Sequence, residues 1–352
     1  MTTTINVLSG LNHKAPAAIL ISTPSLRILL DAGSGLECDD APWPLPADID
    51  AVLISHDHID HIGGLDRLPV GTPVYCTAVT AQSLPSHLDI HAIDVNGQFM
   101  LGNLTVTTGS SGHAYGGIWF HIDLPGGLFY SGDISLESTF FKFDPPPPAQ
   151  LALIDASYGL YDITLSQQQD EFLSRLSQPV ICPVPPSGRA IEIALLAARH
   201  GIKSIAFDEP CRMALEQMSF HNDGSLVEEH HAALATLRTM LSTPSSDSEL
   251  ILAADPDGDT GAAGELRALL ATTHRTLFTG HLTQQAHRQW QAGEVDFCRW
   301  NVHPSQQGLQ QLVTQLACQR LVALFTPLHN LPLWQQLIGC QIIAHPVIEL
   351  TS

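Results

Sequence analysis

The 352-residue sequence predicts an α/β protein. Three observations carry that expectation. Short β-branched runs crowd the first part of the chain, strand and helix patterns alternate after about residue 150, and a histidine-rich turn follows directly on an early apolar run. Hydrophobic residues make up 44% of the chain and charged residues 14%, a balance that builds a core, whereas disorder needs the opposite. The length suits two compact modules or one large one.

Taken in order, Ile19-Leu-Ile-Ser, Leu26-Arg-Ile-Leu-Leu-Asp and Ala51-Val-Leu-Ile-Ser are apolar runs bounded by Gly, Pro and Asp, and read as strands. Pro73-Val-Tyr-Cys, Leu104-Thr-Val-Thr, Ile118-Trp-Phe-His-Ile and Gly127-Leu-Phe-Tyr continue the series. Pro145 to Pro148 form a stiff connector that neither a helix nor an inner strand accepts. Beyond it, Leu151-Ala-Leu-Ile and Val180-Ile-Cys-Pro-Val are expected strands, and a helix capped by Ser187 is expected to run to Gly201. Ser204-Ile-Ala-Phe, Leu250-Ile-Leu-Ala and Thr276-Leu-Phe follow as strands with helices between them. Ser305 is placed to cap a helix whose Leu309, Leu312, Val313 and Leu316 share one face, and Leu321-Val-Ala-Leu-Phe leads to His329. Alternation of this kind implies a sheet with covered faces.

Composition narrows the function classes. No apolar stretch approaches the roughly 20 residues of a membrane-spanning helix, and Met1-Thr-Thr-Thr-Ile lacks a basic flank and an apolar signal core, so a cytoplasmic protein without a membrane partner is expected. The seven cysteines (Cys38, Cys76, Cys182, Cys211, Cys298, Cys318 and Cys340) form no Cys-x-x-Cys pair and read as small buried hydrophobes in a reducing compartment. A net charge of −20 is a poor general surface for nucleic acid, although charge local to a metal cleft can oppose the global sign. Eighteen histidines against fifteen Lys plus Arg point to metal.

The chemistry concentrates in Ser55-His-Asp-His-Ile-Asp-His-Ile-Gly-Gly64. His56 and His58, two residues apart on a turn after a strand, can bind one metal ion, and Asp60 with His61 can bind another. Zinc suits such nitrogen and oxygen donors. Gly63 and Gly64 are expected to let the backbone turn tightly into the next helix. Arg189, after Ser187-Gly188 at a helix start, is placed to meet a phosphate together with Ser187.

At these residues the chain resembles the metallo-β-lactamase superfamily. Leu29-Leu-Asp-Ala-Gly33 looks like its first motif, Gly112-His-Ala-Tyr-Gly-Gly117 its third and Phe129-Tyr-Ser-Gly-Asp133 its fourth. The resemblance gives Asp31 a structural role, makes His113 a ligand of the first metal and makes Asp133 a bridge between two. Leu153-Ile-Asp-Ala-Ser-Tyr-Gly159, the Gly188-Arg-Ala-x-Glu192 segment, Leu277-Phe-Thr-Gly-His281, Asn301-Val-His303 and Leu328-His329-Asn330 are similar, in order, to segments of the β-CASP nucleases, which include the J-type ribonucleases and the pre-mRNA 3′-end cleavage endonuclease. The resemblance implies that Asp155 orients His303, that His303 protonates the leaving oxygen, and that His329 joins Asp60, His61 and Asp133 around the second metal. His345, before Pro346, competes for that last position. Departures lie at the periphery: His303-Pro-Ser-Gln replaces the usual continuation after the motif histidine, and Leu282-Thr-Gln-Gln285 replaces a Gly-Thr pair.

The fold implied is a metallo-β-lactamase αββα sandwich over 1–159 and 300–352, with a β-CASP-like α/β cap domain over 160–299. The function implied is phosphodiester hydrolysis by a hydroxide activated by two divalent ions, with zinc ahead of manganese. RNA stands ahead of DNA as the nucleic-acid substrate, and a homodimer or an accessory protein is left open as a further partner. Asp60, Asp155 and His303 are the expected catalytic residues; His56, His58, Asp60, His61, His113, Asp133 and His329 are the expected metal ligands; Ser187 and Arg189 are expected to bind substrate. Two alternatives stand beside it: a hydrolase of a small nucleotide or ester, and a non-catalytic binding protein derived from a nuclease.

Overall fold

In Thr3–Ser9 every second residue is buried at the start of the run, so the chain begins as a strand with one face in the core. The computed structural model describes residues 2–35 and 42–350. They form two units, one made of Met1–Asp162, Asp223–Ser225 and Val302–Ser352, the other of Ile163–Asn222 and Leu226–Asn301.

The first unit holds two seven-stranded sheets. One runs, in spatial order, Val347–Leu350, Thr3–Ser9, Ala18–Ser22, Arg27–Leu30, Ala51–Leu53, Pro73–Thr77 and Asp89–Ile93. The other runs Gln341–Ile342, Arg320–Leu324, Leu151–Asp155, Leu128–Tyr130, Ile118–Ile122, Leu104–Ser110 and Gly97–Leu101. Alternating side chains of both sheets, among them Ile5, Ile19, Ile28 and Leu53 from one and Val106, Phe120, Leu153 and Val322 from the other, fuse into a single buried core. The opposite face of the second sheet packs Phe129, Ala152 and Ile154 against Leu309, Leu312 and Val313 of helix Gln306–Gln315 and Trp334 of helix Leu331–Ile338. The opposite face of the first sheet packs Leu29, Val52 and Val74 against Leu65 and Trp43. The layering is that of the metallo-β-lactamase sandwich.

Parallel pairing sets where chemistry can sit. Arg27–Leu30 and Ala51–Leu53 run parallel, as do Leu128–Tyr130, Leu151–Asp155 and Arg320–Leu324. Their carboxyl ends therefore release Asp31, Ser55, Ser131, Ala156 and Phe325 on the same side of each sheet, which is where ligand loops gather in parallel sheets.

The second unit is a five-stranded parallel sheet in the order Ile205–Phe207, Leu250–Ala253, Val180–Pro183, Arg275–Phe278 and Asp296–Phe297. Helices such as Arg189–Arg199 and Gly261–Leu269 connect its strands.

Several local expectations change. Helix Arg189–Arg199 starts on Gly188, at φ 134°, without a side-chain cap, so Ser187 lies in the preceding turn and is not the cap. Ser305 does cap its helix, accepting from Gly308 N–H at 3.2 Å. Gly63 and Gly64 adopt ordinary φ values of −65° and −97°. They are glycines because of close approach: a Cβ on Gly63 would fall 2.2 Å from Ser34 Oγ, and one on Gly64 2.7 Å from the Gly33 carbonyl oxygen. Cys76, Cys182, Cys211, Cys298 and Cys318 are buried and Cys340 is half-buried, while Cys38 lies outside the described residues. Burial pushes the Cys76 thiol up to about 12, as for an inert side chain. Among the described residues no helix is long and apolar enough to cross a membrane.

Candidate active site

The strand Ala51–Leu53 ends in a loop that carries His56 and His58, and the one-turn helix Ile59–Ile62 that follows carries Asp60 and His61. Asp31 organises this turn from beneath. It is fully buried and accepts four hydrogen bonds, from Ser55 N–H and Ser55 Oγ at 2.7 Å each, His61 Nδ1 at 2.7 Å and Tyr130 Oη at 2.6 Å.

These partners fix which ring nitrogens are free to bind. Ser55 Oγ–H is committed to Asp31, so His56 Nδ1, 3.0 Å away, donates to Ser55 and leaves Nε2 as the bare nitrogen. His113 Nδ1 donates to the Val302 carbonyl at 2.6 Å, and its Nε2 faces His58 Nδ1 at 3.2 Å. His61 Nδ1 is held by Asp31, and its Nε2 lies 3.2 Å from Asp133 Oδ1. Asp133 Oδ2 lies 3.8 Å from His56 Nε2 and 3.6 Å from His113 Nε2.

Three groups result, each with its donor atoms within 4.8 Å of one another: His56, His58, His113 and Asp133; Asp60, His61 and Asp133; and Asp133, Asp155 and His303. Asp133 belongs to all three. Burial, helped by His61 and His58, drives the His56 pKa well below its usual value, and burial does the same for His113. Burial opposes the charged forms of His61 and Asp133 as well. For His61 it is outweighed by Asp133 and Asp31, which raise its pKa well above normal, and for Asp133 by His61 and His303, which hold it well below.

The first group fits a divalent ion. His56 Nε2 is buried with no hydrogen-bond partner, a condition that costs about 1–3 kcal/mol unless something else satisfies the atom. Three neutral imidazole nitrogens and one carboxylate are a zinc-type donor set.

His303 Nδ1 donates to Asp155 Oδ2 at 2.6 Å, and the same ring nitrogen lies 3.8 Å from Asp133 Oδ2. Asp155, at the end of its strand and fully buried, also accepts from Ser157 N–H at 2.9 Å and Ile134 N–H at 3.3 Å. The His303 ring is flanked by His113 and by Tyr158, whose hydroxyl accepts from Val302 N–H.

Not every expected residue joins. His329 is exposed and belongs to none of the three groups. Pro327 leads the chain outward, and Asn330, in the left-handed region at φ 60°, starts the next helix. His345 is exposed, and its Nδ1 donates to the Val347 carbonyl at 2.8 Å. Ser187 and Arg189 lie in the second unit, where the Arg189 guanidinium covers Gly280 so closely that a Cβ there would meet Nη1 at 2.3 Å. One residue escaped the sequence reading. Lys14 Nζ lies 3.4 Å from Asp60 Oδ2, and its only signal was rarity, as one of three lysines in the chain.

Residues 26–136 match the beta-lactamase superfamily domain. The transcription termination factor FttA of Methanocaldococcus jannaschii is 26% identical over 259 residues, which cover 58% of this chain and 40% of that protein. The ribonuclease TTHA0252 of Thermus thermophilus is 28% identical over 225 residues, covering 53% and 52%. The chain thus spans about two fifths to one half of the length of these curated relatives. The crystal structure of a protein of unknown function from Enterococcus faecalis V583 superposes with a TM-score of 0.66 at 14% identity, over 99% of this chain and 100% of that one, and shares the fold.

Proposed function

For a chain that carries a beta-lactamase superfamily domain, and whose relatives are consistent with the β-CASP nucleases, we propose a metal-dependent phosphodiesterase: a nuclease acting on RNA ahead of DNA. The observation that carries this reading is the His303–Asp155 pair, joined at 2.6 Å and sharing Asp133 with the histidine cluster. A metal hydrolase acting on an activated leaving group has no need of a carboxylate-held imidazole beside its metal ligands. Phosphodiester cleavage does, because the departing alkoxide requires a proton.

His56, His58, His113 and Asp133 would hold the ion, zinc by their chemistry and manganese second. A divalent ion there supplies Lewis acidity, which makes a water nucleophilic at neutral pH and offsets phosphoryl charge. The rest belongs to the chain. Asp155 fixes the His303 ring through Nδ1, leaving Nε2 to deliver the proton to the leaving oxygen. Asp31 holds His61 and Ser55, and through Ser55 it holds His56. Arg189, at a helix start in the second unit, is proposed with Ser187 as a phosphate contact.

The test is hydrolysis of labelled RNA, single-stranded DNA and bis(p-nitrophenyl) phosphate by zinc-loaded protein. His303→Ala should keep its zinc, lose about 10²–10⁴-fold turnover on RNA and lose little on the phenolate ester, whose leaving group departs without a proton. Equal losses on both would make His303 a positioning group. Cleavage of the ester with none of RNA or DNA would favour a small-substrate hydrolase, to which the net charge of −20 is better suited.

A further inference from the structure

The loop after the first strand carries a cation into the carboxylates of the site. It is tied down at both ends. Phe325 N–H donates to the Gly10 carbonyl at 2.7 Å, and Ala17 N–H donates to the carbonyl of Asp60 itself at 2.8 Å. Gly10, at φ 90°, is pressed against the Phe325 ring so closely that a Cβ there would fall 2.7 Å from it. Lys14 lies between these ties. Its side chain is 35% exposed, and its ammonium reaches Asp60 Oδ2 at 3.4 Å and sits over the Phe325 ring, 5.2 Å from the centroid. The other face of the contact is His61, whose ring meets that of Phe325 edge-on at 5.8 Å.

The group beside Lys14 has one donor fewer than the first. Asp60, His61 and Asp133 are three residues, one of them shared with the first group, and His329, which the family resemblance supplies as the next donor, is exposed. An ammonium has three N–H donors and no lone pair, so Lys14 cannot itself ligate an ion. A dication on Asp60 would stand close to a like charge, which disfavours it strongly in a partly buried site. We propose that Lys14 takes the place of a second metal ion, so that this chain binds one divalent ion, at His56, His58, His113 and Asp133, with the ammonium supplying the positive charge beside Asp60. The inference rests on the metal reading above, and the experiment separates the two.

Protein stripped with a chelator is reloaded with zinc alone, freed of excess by gel filtration, and its zinc counted by elemental analysis. The wild type should hold one equivalent. Lys14→Met, which removes the charge and keeps the stem, should hold two, with the second bound about 100-fold more tightly than in the wild type. Lys14→Arg, which restores a cation, should return to one. Two equivalents in the wild type would overturn the role of Lys14 and leave the metal reading intact, and one equivalent in Lys14→Met would do the same. No zinc in the wild type would overturn both.

Discussion

Asp31 offers the sharpest quantitative test, because its whole environment is visible. The carboxylate is fully buried and receives four donors between 2.6 and 2.7 Å. Asp31→Ala removes every acceptor and leaves four buried donors unsatisfied. At about 1–3 kcal/mol for each, the loss is at least about 4 kcal/mol. Residue 31 also sits in the left-handed region at φ 53°, where alanine adds about 1 kcal/mol more. Asp31→Asn keeps the shape. Three of the four donors converge on Oδ2 and one on Oδ1, so the amide settles with its nitrogen towards Ser55 N–H and loses one bond, at about 1–3 kcal/mol. The assay is urea unfolding of the metal-free protein, followed by circular dichroism, for wild type, Asn and Ala. A loss below about 1 kcal/mol for Asp31→Ala would refute the idea that this carboxylate holds the turn.

Other outcomes follow from the same geometry. His58→Ala, by removing a nitrogen that faces His113 at 3.2 Å, should weaken zinc binding by at least about 100-fold and abolish the rise in melting temperature that zinc produces; calorimetry with and without zinc checks this. Asp144 is pushed up by burial, but the hydrogen bonds from Lys142, at 2.6 Å, and Ser110 N–H overcome that and hold its pKa down. A depressed carboxyl contributes stability that is present above its unfolded pKa of about 3.9 and is lost as pH falls through its folded value. Asp144→Asn should therefore flatten the acid side of the stability profile, and a profile parallel to the wild type would refute the assignment. On the proposed reading of RNA as substrate, Arg189→Ala should weaken RNA binding and reduce its salt dependence by about one phosphate contact, as read from binding isotherms at several salt concentrations.

What the sequence made legible was local. His56, His58, Asp60 and His61 lie within six residues, and the strand before them is an unbroken apolar run, so the motif and its support could be read together. Asp155 and His303 could be named because each sits in a recognisable segment, although 148 positions separate them. Strands Asp89–Ile93 and Gly97–Leu101 passed unnoticed because they lie at the edges of their sheets with much of their surface exposed, and so carry little apolar pattern. Lys14 was illegible for another reason. Its meeting with Asp60 depends on backbone ties from residue 10 to residue 325 and from residue 17 to residue 60, which no spacing in the chain announces. His329 shows the converse: its order along the chain matched a motif, while the turn through Pro327 and Asn330 sends it to solvent.

Apart from Asp223–Ser225, the first unit is interrupted after Asp162 and resumes at Val302, and the junction is stitched by Val302 N–H on Tyr158 Oη and Gln306 N–H on the Tyr161 carbonyl. During synthesis the ribosome therefore releases His56, His58, His113 and Asp133 long before His303, with the whole second unit emerging in between. Domains fold largely as units in order of appearance, so the first unit, whose His113 is held by the Val302 carbonyl, completes its fold only after the second has emerged. Both sheets of the first unit are completed by strands that emerge after His303, Arg320–Leu324 pairing with Leu151–Asp155 and Val347–Leu350 with Thr3–Ser9.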